Sequence, residues 1–463
     1  MKRLLFLCVL CGLAGMSRAQ TSQSVLVIRG GTLVDVRGGK EVPNSVIVIR
    51  GERIGEIAIE GKLEIPKGAR IVEAKGKWII PGMIDSHAHA GDYEGDPLKL
   101  YLANGVTTIR NPGGNVTLLR LTREKLESGK MAGPRLYFSG NILDGNPPVW
   151  PGGSILVDSP ERARSAVNFL ADQGVDFVKV YNNVKEPELA AIIEAARTRG
   201  LPVAGHIPRT MTMTRAIEMG MTRLEHIRIT GKEMLSAEEA EKIDPLPVGK
   251  REAMLWQRFD LSSEKFRGLV QRLAASRVFL DPTLVTDEYF NVSDAETEKS
   301  DPNNKYVSAE FVKGAVLSFQ NPLFQIPSEL KVAAAEAVHK EQRFVGMCNE
   351  AGVRIIAGTD GPNMGRLLPG FGLQRELELL VEAGLSPLQA LRAATLTAAE
   401  ALGKEDQLGT LETSKLADLV VLDADPLAAI QNVRKVRAVV QGGKVYEPSG
   451  LLEQVLAEAQ TKP

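Results

Sequence analysis

Cysteine is nearly absent from this sequence: Cys8, Cys11 and Cys348 are the only three in 463 residues. Two of them lie in an N-terminal segment with the marks of a removable leader, so a disulfide-stapled scaffold is excluded. An excess of charge of one sign is also missing. Lys plus Arg is 56 and Asp plus Glu is 57. That balance gives no reason to expect nucleic acid or an anionic membrane as a partner. Aromatic residues reach only 5%, and histidine occurs five times. There is no low-complexity segment, no repeat of fixed period and, beyond the N-terminus, no long hydrophobic run. The composition, 44% hydrophobic and 24% charged, is that of an ordinary soluble globular protein. The length allows a large core.

The start of the chain is read separately from the fold. Met1-Lys2-Arg3 is basic, Leu4 to Met16 is apolar, and Ser17-Arg18-Ala19 places small residues at a cleavage site. Residues 1–19 therefore read as a secretory signal peptide. The apolar run is short for a bilayer core, although an uncleaved anchor is the competing reading. Export to the periplasm or the medium is expected, with no stable membrane insertion after cleavage. The C-x-x-C of Cys8 and Cys11 leaves with the leader and carries no redox or zinc meaning. Cys348, beside Phe344 and Val345, reads as a buried, inert thiol.

Both ends of the mature chain are strand-rich. Val25-Leu26-Val27-Ile28, Val46-Ile47-Val48-Ile49 and Ile71-Val72 are separated by Gly and Pro clusters. The same style returns in Leu419-Val420-Val421-Leu422 and Val436 to Val440. Between them, strand and helix patterns alternate, as in parallel βαβ units. Eight strands are predicted: Trp78 to Ser86, Val106 to Arg110, Leu136 to Ser139, Phe177 to Tyr181, Val203 to His206, Arg223 to His226, Val278 to Asp281 and Val353 to Ala357. Helices are predicted after Ser159-Pro160, over Glu186 to Arg199, over Ser262 to Ser276, and from Ser386-Pro387 to Leu402. The fold class is α/β, a (β/α)8 TIM barrel with a small composite β-sandwich domain built from both chain ends. A doubly wound open sheet is the alternative, but no Gly-rich phosphate fingerprint follows the first strand. The expected division is 24–80 plus 404–448 for the sandwich, 81–403 for the barrel and 449–463 as a C-terminal tail.

Four of the five histidines sit at predicted strand ends. His87 and His89 form His-Ala-His after the first strand, and alternation turns both to one side. His206 follows the fifth strand, His226 ends the sixth, and Asp360 lies just past the eighth. In a (β/α)8 barrel all of these positions lie at the C-terminal mouth. Neutral imidazoles and a carboxylate suit zinc and similar ions. Lys179 interrupts the apolar strand Phe177-Val178-Lys179-Val180-Tyr181. An uncompensated ammonium inside a barrel is costly. One remedy is carboxylation by carbon dioxide, giving an anionic carbamate with two oxygens. Taken singly, each residue has an ordinary reading: a core histidine, a snorkelling or paired lysine, a capping aspartate. Their shared face sets them apart. His339, among Lys340, Gln342 and Arg343, reads as a solvated helix residue.

Ile80-Pro81-Gly82-Met83-Ile84-Asp85-Ser86-His87-Ala88-His89, with Lys179, His206, His226 and Gly358-Thr359-Asp360, resembles the metal-dependent amidohydrolase superfamily. Pro369-Gly370-Phe371 through Glu376-Leu377-Glu378-Leu379, Ala390 to Thr395 and Ala417 to Asp423 extend the likeness across about residues 24–448. Within the superfamily the sequence is most similar to the branch of imidazolonepropionase-related hydrolases and prolidase-like dipeptidases, and Lys179 points to the dipeptidase-like side. The resemblance implies two divalent metal ions, zinc first among them. His87, His89 and Asp360 would hold one, His206 and His226 the other, with N6-carboxylated Lys179 as the bridging ligand. It also implies C–N bond hydrolysis by a metal-bridging hydroxide, with Asp360 as the catalytic proton acceptor.

The expected substrate is a small molecule, a dipeptide or an N-acyl amino acid. Tyr181, Arg209 and Arg228 are the candidates for binding its carboxylate. The loop Gly145 to Gly153, with Trp150, is a candidate aromatic wall. The long insertion Thr286 to Ile326 reads equally as a lid or as a solvated excursion. A cyclic amidase or lactonase on the same site is the nearest alternative, and a catalytically silent metal-binding scaffold is the alternative of another class. Whether the chain forms a homo-oligomer stays open at this level.

Overall fold

The computed structural model describes residues 25–91, 98–322, 325–362 and 367–461, and the expected signal peptide lies outside these. The first sheet is built from both chain ends. Its strands are β1 (Val25–Asp35), β2 (Lys40–Arg50), β3 (Arg53–Ile59), β4 (Arg70–Glu73) and β5 (Trp78–Pro81) from the N-terminal side. In chain order the parallel strands follow: β6 (Met83–Asp85), β7 (Val106–Asn111), β8 (Arg135–Phe138), β9 (Ile142–Asp144), β10 (Ser154–Leu156), β11 (Val178–Val180), β12 (Val203–Gly205), β13 (Arg223–Glu225), β14 (Phe279–Asp281) and β15 (Arg354–Ile355). The chain then returns to the first sheet with β16 (Leu419–Leu422), β17 (Val436–Gln441) and β18 (Lys444–Tyr446).

The first sheet runs β18-β17-β16-β5-β1-β2-β3, with β4 beside β1. Its core is aliphatic, with Ile28, Ile47, Ile49, Ile79, Leu419 and Val421 all fully buried. The β1–β2 hairpin is closed by Asp35, whose side chain accepts from the N–H groups of Arg37 and Gly38 at 3.0 and 2.9 Å. The segment 449–463, expected as a tail, carries a helix over Pro448–Thr461 that buries Leu451 and Val455.

The parallel strands form two ladders, β6-β7-β8 and β10-β9-β11-β12-β13-β14-β15. All eight predicted strands are present, and one of them divides. The predicted strand Trp78 to Ser86 breaks at Gly82. Its first half pairs with β16 in the first sheet and its second half with β7. A Cβ on Gly82 would stand 2.2 Å from the Thr107 hydroxyl, so glycine is required at this crossing. The third predicted strand, Leu136 to Ser139, is β8, which pairs with β7; β9 follows it as a strand outside the eight predicted and pairs with β11. The two ladders also meet elsewhere. Ser86 N–H donates to Ala357 O at 2.9 Å, and Ala88 bridges Gly361 in parallel. One large apolar cluster lies between the strands and their helices, with Trp256, Phe138, Phe266 and Phe344 fully buried.

The helices follow their capping signals. Ser159 caps Pro160–Asp172 by accepting from Arg162 N–H, and Ser263 caps Glu264–Ser276. The predicted helix Ser386 to Leu402 is instead two helices, Pro387–Ala393 and Leu396–Leu402. The break frees two carbonyls for the strands: Ala393 O accepts from Ala357 N–H at 3.0 Å and Ala394 O from Ile84 N–H at 2.7 Å. A continuous helix would have used both internally. Cys348 is buried in the helix Lys331–Glu350, and His339 is exposed on it, both as expected. Among the described residues no helix is long and apolar enough to cross a membrane.

Candidate metal centre

The ends of β6, β11, β12, β13 and the segment after β15 converge. His87 Nε2 and His89 Nε2 lie 3.1 and 2.9 Å from the same Asp360 oxygen. One donor atom from each of these three residues fits within 4.8 Å of the others. The His87 and His226 rings are 4.9 Å apart, and those of His206 and His226 are 4.7 Å apart. Lys179 is buried at the centre of β11. The structure therefore brings all six expected residues, His87, His89, Lys179, His206, His226 and Asp360, to one site.

The orientation of the imidazoles is informative. His89 Nδ1 meets Gly113 O at 3.1 Å, His206 Nδ1 meets Asn182 Oδ1 at 2.8 Å, and His226 Nδ1 meets Thr283 Oγ1 at 2.6 Å. His87 Nδ1 lies 3.4 Å from Asp281 Oδ2. Three of the four rings are held through Nδ1, and the fourth turns its Nδ1 toward Asp281. A carbonyl can only accept, so His89 carries a proton on Nδ1, and Nε2 is the nitrogen it turns to the site. Partners on the outer nitrogen are how metal-binding histidines are fixed. His87 is buried with no hydrogen bond to either ring nitrogen, a cost that a bound cation would remove. The residues present thus fit divalent metal ions.

Electrostatics agree with the geometry. Burial pulls the His87 imidazole down to about 3, and burial likewise holds His206 and His226 well below the ordinary value. These rings are neutral, the form that donates to a cation. Burial would raise the Asp360 carboxyl, but His87 and His226 outweigh it and hold it well below the carboxylate range. Burial lowers the Lys179 ammonium to about 7. Backbone strain gathers here too: His226, Thr283 and Asp360 adopt φ of +61°, +49° and +55°. Such residues cost roughly 1–3 kcal/mol each and collect at functional sites.

Sequence reasoning missed the charged layer beneath the site. Glu225 contacts both Lys179 Nζ and Arg110. Arg110 also donates to Ser86 O at 2.5 Å and covers the Phe177 ring at 4.4 Å. Asp281 lies 4.0 Å from Arg110, and Asp85 accepts from Thr359 Oγ1 at 2.8 Å and from the N–H groups of His87 and Thr359. Burial raises the Asp85 carboxyl to about 7. The signal was available: Arg110, Glu225 and Asp281 are charges inside apolar strand runs, as Lys179 is. Gly358 is the spacer, since a Cβ there would be 2.6 Å from Asp281 and from His87 Cβ. Arg110→Met should strand two buried carboxylates and cost about 3–5 kcal/mol. A urea midpoint equal to that of the parent would contradict this, and adding Glu225→Gln should recover part of the loss.

A cavity of about 470 Å³ opens over the site, within the usual range for small-molecule pockets. His89, Lys179, His206, His226 and Asp360 line it, and so do Tyr181, Arg209 and Arg228. Trp150 forms a wall, donating through Nε1 to the Tyr181 hydroxyl at 2.8 Å. Its loop is pinned by Asp144, which accepts from Gly145 and Val149 N–H. Arg228 is not a free cation: it lies 3.6 Å from Asp287. The insertion Thr286 to Ile326 contributes Thr286, Asp287, Phe290, Asn291 and Ile326 to the wall. It is anchored where Thr286 Oγ1 donates to Thr359 O and Val285 N–H to Glu376.

These features define a class, and comparison with known proteins names it. The sequence model of the amidohydrolase family matches residues 78–446, so the chain belongs to the amidohydrolase family. It is 25% identical to an imidazolonepropionase from Symbiobacterium thermophilum over 86% of this chain and 90% of that protein. It is also 25% identical to adenine deaminase 2 of Agrobacterium fabrum over 91% of this chain. That match covers 57% of the deaminase, and the chain spans about half the length of several curated relatives it matches. Among solved structures, an Xaa-Pro dipeptidase with bound methionine superposes with a TM-score of 0.67 at 22% identity. That superposition covers 92% of this chain and 100% of the dipeptidase.

Proposed function

We propose that this protein is a metal-dependent amidohydrolase that cleaves the C–N bond of a dipeptide or an N-acyl amino acid. The observation that carries the reading is the set of four imidazoles, three of them held through Nδ1, around Asp360 and the buried Lys179. His87, His89 and Asp360 would hold one divalent ion, His206 and His226 a second, and N6-carboxylated Lys179 would join them. When bound, two such ions polarise a carbonyl and supply a nucleophile at neutral pH.

The chain's own residues do the rest. Asp360 accepts a proton in the attack and returns it to the leaving amine. Arg209 meets the substrate carboxylate, and Trp150 with Tyr181 forms a rigid wall beside it. The fold assignment belongs to the same proposal. The two ladders close as one (β/α)8 barrel over 81–403, beside a composite β-sandwich of 24–80 and 404–448. The short link from β8, which pairs with β7, to β9, which pairs with β11, and the bond from Ser86 to Ala357 support closure. Export directed by residues 1–19 completes the reading.

The test is elemental analysis of the mature protein purified without chelator, followed by a screen of dipeptides and N-acyl amino acids. Two equivalents of zinc or a similar ion and turnover of one of these classes are expected. One equivalent would leave Lys179 an ordinary lysine, and none after reconstitution would favour a silent scaffold.

A further inference from the structure

The hydroxyl of Tyr181 is aimed by its neighbours. Trp150 Nε1 lies 2.8 Å from it. An indole N–H can only donate, so the phenol oxygen is the acceptor in this pair, and its own proton points elsewhere. Among the described residues that oxygen meets no other side chain. Tyr181 lines the cavity, so the cavity is where the proton can be given.

Its place relative to the site follows from the strand. Tyr181 N–H donates to Leu143 O at 3.0 Å, so the chain keeps its pairing past Val180. Alternation then turns Tyr181 to the same side as Lys179, two residues earlier. The centre of its ring lies 4.1 Å from that of the His206 imidazole. Arg209 stands three residues beyond His206, further along the chain from the site. The support is rigid. Asp144, which pins the Trp150 loop, also accepts from Asn183 N–H at 2.8 Å, and Asn183 Nδ2 donates to Pro147 O at 2.6 Å. The loop that carries Trp150 is thereby tied to the segment that carries Tyr181.

We propose that Tyr181 is a catalytic residue whose hydroxyl donates a hydrogen bond to the substrate carbonyl oxygen as that oxygen becomes anionic, and that Trp150 positions it. The inference rests on the functional reading above and deepens it. When hydroxide adds to the carbonyl carbon, the π pair of C=O moves onto oxygen. Tyr181 keeps its proton and stabilises that charge. The pair returns as the C–N bond breaks, and the amine leaves with the proton held by Asp360. A donor fixed in advance needs no reorganisation when the charge appears. A phenol is protonated at neutral pH, so the donor is present there. A hydrogen bond to the substrate carboxylate would instead serve ground state and transition state alike, and would show in KM.

The experiment compares the metal-loaded parent with Tyr181→Phe, Trp150→Phe and the double variant, each checked for metal content and an intact melting transition. With the best substrate of the screen, Tyr181→Phe should lower kcat about 10²-fold while KM stays within about threefold. Trp150→Phe keeps a ring but no N–H. It should lower kcat about fivefold, the scale of one neutral hydrogen bond, and cost nothing further once Tyr181 is replaced. A packing role for Trp150 would cost the same in either background. A second arm needs no turnover: calorimetric titration with L-leucine and with its N-methylphosphonyl derivative, whose tetrahedral anionic group stands in for the attacked carbonyl. Tyr181→Phe should weaken the phosphonyl ligand at least about tenfold and leave L-leucine unchanged. A kcat within about threefold of the parent, a loss confined to KM, or equal weakening of both ligands would overturn the proposal. A parent that hydrolyses no dipeptide or N-acyl amino acid would remove the reaction, and the binding arm then decides. Selective weakening would keep Tyr181 as a donor to a tetrahedral anion, and no binding or no selectivity would overturn it.

Discussion

Asp360→Asn is expected to lower turnover at least about 10²-fold while metal content stays that of the parent, the scale of general acid–base catalysis. The substitution nearly preserves shape. Asn keeps an oxygen where Asp360 Oδ1 now sits, 3.1 Å from His87 Nε2 and 2.9 Å from His89 Nε2. What it loses is the capacity to take up and release a proton. The left-handed backbone at this position, φ +55°, is also tolerated by Asn. The loss should therefore appear in kcat with little change in KM, measured with excess metal present. Turnover within about threefold of the parent would remove Asp360 from proton transfer and leave it only a place among the ligands.

Lys179→Ala is expected to release metal, with activity falling to the background of the assay. Added bicarbonate or a short carboxylic acid should return part of both. The reason lies in the burial of Lys179 on β11, which brings its ammonium down to about 7. A sizeable neutral fraction exists near that pH, and the neutral amine is the form that reacts with carbon dioxide. Carboxylation reverses the sign of the side chain, so its contact with Glu225 cannot persist, and Arg110 remains to balance Glu225. Truncation to Ala empties a space that formate or acetate can enter while supplying the missing oxygens. Full metal occupancy without the lysine would contradict the bridge. Metal loss that no carboxylic acid reverses would point to a packing role instead.

Much of the fold was legible because its signals are local. Ser159-Pro160 and Ser263 mark helix starts by groups that can satisfy free N–H donors. Runs such as Val278 to Asp281 have few options besides a buried strand. The helix break after Ala393 was not legible, because the strands that take its carbonyls, at Ile84 and Ala357, are far away in sequence. The division at Gly82 and the additional strand β9 were missed for the same reason. Each depends on which sheet a neighbouring strand joins.

The same distinction holds at the site. By itself the sequence determined which residues meet there. Strand alternation and strand ends are short-range properties, and they suffice to place His87, His89, Lys179, His206, His226 and Asp360 on one face. Tertiary structure decided how those residues are charged and aimed. Asn182, Gly113, Thr283 and Asp281 turn the rings, and Arg110 and Glu225 set the field around Lys179. Asp287 takes Arg228 away from the role of a free carboxylate binder. Electrostatic energy depends on distance in space and on exclusion of water, and neither is a property of neighbouring positions in a chain.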